Sequence, residues 1–152
     1  MEAIGTEDAG RVNGGAVVRA FLEGMPAFRL YGARVVGFEA GRSELEIPFR
    51  KELTFDGVTI QAGISAALLD FAGASAAATL LPEGWTIATT GFEVHNTAPA
   101  RGERLVALGT VLDPNKSLGV ARADVFAERD GDRTLCATGL VTTRGFAPRG
   151  GR

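Results

Sequence analysis

Asp70 is the only ionisable residue between Gln61 and Leu81, the most apolar stretch of the chain. On a wheel of 100° per residue its neighbours are Gly63, Ala66, Gly73, Ala74 and Ala77, all small. Gln61, Ser65, Ser75 and Thr79 gather roughly opposite, with the bulkier Ile64, Leu68 and Phe71 nearer to them. Aspartate is a mediocre helix former, and a buried carboxylate needs compensation. Two readings follow. Asp70 is a structural acid, tied to an arginine or to backbone, or it is a base or nucleophile whose proton affinity is tuned by small, apolar surroundings. Composition leaves both open.

Other reactive residue types are sparse. His95, the only histidine, falls in a strand-like run and reads as a surface residue. Cys136, the only cysteine, excludes an intramolecular disulfide and reads as a small core residue between Leu135 and Ala137. No metal-ligand cluster and no glycine-rich phosphate loop stands out; the glycines are spaced as turns.

The elements that must position Asp70 follow from the rest of the pattern. The 152 residues fit one domain, and 45% apolar residues supply a core. A net charge of −2 with 22% charged residues gives no nucleic-acid footprint. The N-terminus lacks an apolar signal core. Asp70 at the centre of a bilayer span would cost about 2.5–3.5 kcal/mol, so the apolar stretch reads as a buried helix of a cytoplasmic protein.

The spacing of Val17, Val18, Phe21 and Leu22 predicts a short helix over 15–24, with Asn13 as its cap and Pro26 as its stop. Strands are expected over 31–38 and 43–47, then an irregular link over 49–60, the long helix over 61–81, and a stop at Pro82-Glu83-Gly84. Four more strands follow over 86–96, 104–113, 118–128 and 134–143, separated by turn residues. Residues 1–14 and 146–152 are expected to be flexible, leaving one domain over 15–145. The expected fold is α+β, an antiparallel sheet wrapped around one long central helix.

The stretch Phe55-Asp56-Gly57, then Gln61-Ala62-Gly63-Ile64-Ser65-Ala66-Ala67-Leu68-Leu69-Asp70, resembles hotdog-fold thioesterases of the phenylacetic-acid-degradation (PaaI) type. That family carries a loop asparagine, a His-Gly-Gly turn, and an acid nine residues after the histidine. Asn96-Thr97-Ala98-Pro99-Ala100-Arg101-Gly102 is similar to the family's Pro-x-x-Gly turn, and the likeness runs from about Phe28 to Thr143. Here Gln61-Ala62-Gly63 replaces His-Gly-Gly, and Asp56 is the nearest counterpart of the asparagine.

The resemblance implies acyl-CoA hydrolysis, with coenzyme A entering only as part of the substrate and no resident cofactor. Asp70 would be base or nucleophile, and the Ala62 amide, with Gly63 completing the turn, would polarise the thioester carbonyl at a helix N-terminus. Gln61 either donates to that carbonyl or satisfies the helix end. Ser75 either helps place a water or bonds back to a helix carbonyl. Asp56, Arg101, Lys116 and Ser117 lie in loops that could reach the substrate, the latter three its nucleotide. Trp85 and Phe92 could line an acyl pocket or belong to the core. Relatives assemble as homodimers or homotetramers, and the open sheet edge expected here points the same way. The alternatives are a non-catalytic acyl-CoA-binding protein and a hotdog hydratase or dehydratase. The latter wants a histidine placed elsewhere than His95.

Overall fold

The computed structural model describes residues 10–150. Residues 1–9 and 151–152 of the expected flexible termini lie outside it. Helix α1 spans Gly14–Gly24 and buries Val18 and Leu22, one turn apart, as the periodicity requires. Asn13 does not cap it through its side chain. Its amide instead donates to the carbonyls of Ala78 (3.3 Å) and Trp85 (3.0 Å) and accepts from the Gly84 amide (3.0 Å). The chain just before α1 is thereby fastened where the central helix ends.

Pro26 does more than stop α1. It occupies the first turn of a second helix, α2 (Pro26–Leu30), where its missing N–H costs nothing. The strand expected from Tyr31 therefore begins only at Arg34. The remaining expected elements appear with small shifts: β1 Arg34–Glu39, β2 Arg42–Pro48, a 3₁₀ turn at Lys51–Leu53, α3 Ala62–Ala78, β3 Thr86–Asn96, β4 Arg104–Asp113, β5 Gly119–Arg129 and β6 Asp132–Phe146.

The six strands form one sheet in the order β1-β2-β4-β5-β6-β3, antiparallel at each pairing. Helix α3 packs across it, touching β2 to β6. Leu68, Leu69, Ala72 and Ala76 are fully buried there. Two glycines allow the close approach. A Cβ on Gly109 of β4 would fall onto the Ala72 carbonyl oxygen, and one on Gly73 would lie 2.5 Å from Val141. Ser43 of β2 also donates to the Ala72 carbonyl at 2.7 Å, pinning the middle of the helix. The hydroxyl face of α3 is thus the buried face: Ser65, Ser75 and Thr79 are all buried. The stripe carrying Gly63, Ala66, Asp70 and Ala74 is left partly open. Strand β3 is an edge, paired among the described residues only to β6.

Candidate active site

Asp70 lies midway along α3, half-buried, and no arginine or lysine reaches it among the described residues. Its one hydrogen-bond partner there is Thr89 of β3, whose hydroxyl donates to Asp70 Oδ1 at 2.7 Å. Burial pushes the carboxyl's pKa above the ordinary aspartate value, and the Thr89 hydroxyl opposes the rise by stabilising the anion. An ion-paired structural acid would show the reverse balance.

Thr89 was not legible as a site residue. Its place on the inward side of β3, two residues after Ile87, is the only signal: a hydroxyl where the strand's apolar face should be. Ser75, the hydroxyl looked for near Asp70, donates to the Ala72 carbonyl at 3.2 Å instead. It is therefore in the back-bonded state, though it lines the same chamber as Asp70.

At the helix start, Gln61 is extended (φ −64°, ψ 137°) and caps α3 with its side chain, Oε1 accepting from the Gly63 amide at 2.7 Å. Ala62 is the first helical residue and is exposed, and its N–H has no partner among the described residues. A free amide at a helix N-terminus is a ready donor to a developing oxyanion. Gln61 satisfies the helix end rather than reaching outward, one of its two expected roles.

The loop before α3 is ordered by Asp56. Its Oδ1 accepts from the amides of Val58 (2.9 Å) and Thr59 (2.6 Å), and its Oδ2 from the Thr59 hydroxyl (2.9 Å). These bonds hold its pKa below the usual aspartate value, with Arg101 a smaller cause. Arg101 Nε donates to Thr59 Oγ1 at 2.8 Å, and the Ile60 amide donates to the Ala100 carbonyl at 3.0 Å. Asp56 and Arg101 therefore stand together beside the start of α3.

Lys116 and Ser117 do not join them. They occupy the turn after β4, whereas Arg101 precedes it, so the strand separates them by roughly 30 Å. Lys116 Nζ lies 5.2 Å from the Trp85 ring centroid, and the Ser117 amide is bonded to Asn115 Oδ1 at 2.8 Å. The four residues expected around one substrate thus split into two distant pairs.

Asp70 and Thr89 open onto a chamber of about 300 Å³ between α1, α3 and β3. Apart from Ser75, its other walls are apolar, with Leu22, Met25, Phe71 and Ile87 among them. Phe71 is held by an edge-to-face contact with Phe28 of α2, ring centroids 5.3 Å apart. A carboxylate in the wall of a largely apolar recess can deprotonate a water or attack an acyl carbon while the recess holds the acyl group.

No family model matches the chain. Among solved structures, a thioesterase family protein from Silicibacter pomeroyi is 33% identical, covers 86% of this chain and 96% of its own, and superposes with a TM-score of 0.82. A thioesterase from Haemophilus influenzae (19% identity, 87% and 90% covered, TM-score 0.76) and the Escherichia coli PaaI protein (16%, 84% and 89%, 0.74) share the fold. A provisionally named esterase of Halobacterium salinarum is 29% identical over 120 residues, 76% of this chain and 79% of its own.

Proposed function

Because the chain belongs to the thioesterase superfamily and has its hotdog fold, we propose that it is a cytoplasmic acyl-CoA thioesterase with the Asp70 carboxylate as its base or nucleophile. The observation that carries this reading is the half-buried Asp70 carboxylate, free of any cation partner among the described residues, in the wall of a largely apolar chamber. The motif order from Asp56 to Asp70 supports a place near the PaaI type.

In the proposed reaction Asp70 takes a proton from water, the oxygen attacks the thioester carbon, the carbon–sulfur bond breaks, and the proton held by Asp70 passes to the departing sulfur, giving the free acid and the CoA thiol. In a variant of the same step the carboxylate attacks directly and water opens the resulting anhydride. Either way negative charge develops on the carbonyl oxygen, and the Ala62 amide is the donor we assign to it. Thr89 is a positioning residue that keeps the carboxylate oriented.

Within one chain the two groups stand far apart for a single thioester. Ala62 and Asp70 are eight residues apart on α3, about 12 Å along the axis at 1.5 Å per residue. Donor and attacking group must each come within about 3 Å of the reacting carbonyl. We infer a homodimer in which the Ala62 amide of one copy faces Asp70 of the other, with the free β3 edge extending the sheet into the partner.

Purified protein incubated with a panel of acyl-CoAs, read by release of free thiol, tests the proposal. Wild type should turn over at least one of them, and Asp70→Ala should lose that activity while remaining folded. Equal activity in the two proteins, or none in wild type, rejects it; binding without turnover would favour the non-catalytic alternative.

A further inference from the structure

We propose that the trough beneath α1 is the acyl site and that it selects an extended, uncharged aliphatic acyl chain of about ten carbons. This rests on the reading of Asp70 as the hydrolytic acid and adds the substrate class. The Asp70 chamber does not end blindly. It shares Val18, Phe21, Ala78 and Ile87 with a second recess of about 170 Å³, which continues to Val17 and Trp85. The path follows α3 from Asp70 to Ala78, two turns and about 12 Å, alongside β3 from Thr89 back to Trp85. An extended carbon chain of about ten atoms spans a path of that length.

The polarity of the walls selects against charge. Asp70, Ser75 and Thr89 are the polar residues of the main chamber, and among the described residues no lysine or arginine lines either recess. At the far end the Asn13 amide is committed to Ala78, Trp85 and Gly84 backbone. A carboxylate on the acyl chain would have to cross this apolar wall and would be repelled by Asp70. A short acyl group would leave apolar wall unfilled. Phe21 is 56% exposed on α1, so an acyl chain lying under it gains a cover that the empty protein does not use.

The test is kcat/KM for acetyl-, hexanoyl-, decanoyl-, succinyl- and phenylacetyl-CoA. It should rise by about fourfold for each methylene up to decanoyl, the factor expected from burying one CH₂. Ala78→Leu, which narrows the waist, should move the optimum to a shorter chain. Phe21→Glu, at an exposed position that tolerates polarity, should lower decanoyl turnover more than hexanoyl turnover and covers the case in which Ala78→Leu misfolds. A preference for acetyl-, succinyl- or phenylacetyl-CoA over decanoyl-CoA overturns the proposal. Calorimetric binding of 1-decanol, which carries no carboxylate to repel Asp70, separates the two layers. Binding that Phe21→Glu weakens, without turnover of any acyl-CoA, supports the acyl site and overturns the hydrolytic reading; absence of binding overturns the acyl site.

Discussion

Burial and a hydroxyl pull the Asp70 carboxyl in opposite directions, and that opposition is measurable. Since Thr89 lowers the pKa, Thr89→Val should raise it, moving the acid limb of the pH–rate profile to higher pH while Thr89→Ser restores it. An unmoved limb would remove Thr89 from the site. The same balance sets a stability effect. The folded carboxyl titrates above its unfolded value of 3.8, so the folded state binds more protons through that window and stability falls as pH rises through it. Asp70→Asn keeps an acceptor for Thr89 and removes the buried charge. It should therefore melt at or above the wild-type temperature at neutral pH, the gain disappearing below the unfolded pKa. A sharp loss of melting temperature would make Asp70 structural. At this scale the acid and its small neighbours were legible along the helix, whereas its freedom from an arginine partner was left open by the sequence. Thr89 was not legible, because its bond to Asp70 spans 19 residues and depends on the packing of β3 against α3.

The central helix is held in place by glycines as much as by side chains. Gly109→Ala would drive a methyl group into the Ala72 carbonyl, shifting α3 off β4. We expect a destabilisation of about 1–3 kcal/mol by thermal or chemical denaturation, the usual range for overpacking. Near-wild-type stability would mean the helix is less constrained than its contacts imply. Ala62→Pro probes the start of the same helix. Gln61 already has the extended backbone that a following proline demands, and Ala62 is at the first helical position, so folding should survive while the donor N–H is lost. Turnover should fall by about 10²–10³-fold, the typical effect of removing one oxyanion donor. Strands β3 and β4 begin and end where the alternation and turn residues place them. Helix α2 was hidden because Pro26 reads equally well as the end of one helix and the start of the next. Lys116 and Arg101 were grouped as loop cations although the strand expected over 104–113 already stood between them, and its length sets them at opposite ends of the sheet.

At the scale of the whole molecule, the sheet leaves β3 unpaired on its outer side and exposes Phe55, Val58 and Phe92, 71%, 57% and 46% accessible. A long edge and scattered large apolar groups around α3 are covered economically by a second copy. Light scattering should give a mass of at least twice 15.8 kDa, and a stable monomer at micromolar concentration would exclude the two-chain site. An antiparallel sheet on a helix was legible from the order of elements. That acid and amide stand far apart within one chain emerges only when both are set on one rigid α3. The most direct test co-expresses Ala62→Pro with Asp70→Asn and measures free-thiol release from the best acyl-CoA. Each variant alone should be nearly inactive. In a mixed twofold dimer one site carries both lesions and the other carries neither, so random pairing should restore about a quarter of wild-type turnover. A folded mixture that stays as inactive as its two parents, beside an active wild type, would contradict a site built from Asp70 of one copy and Ala62 of the other.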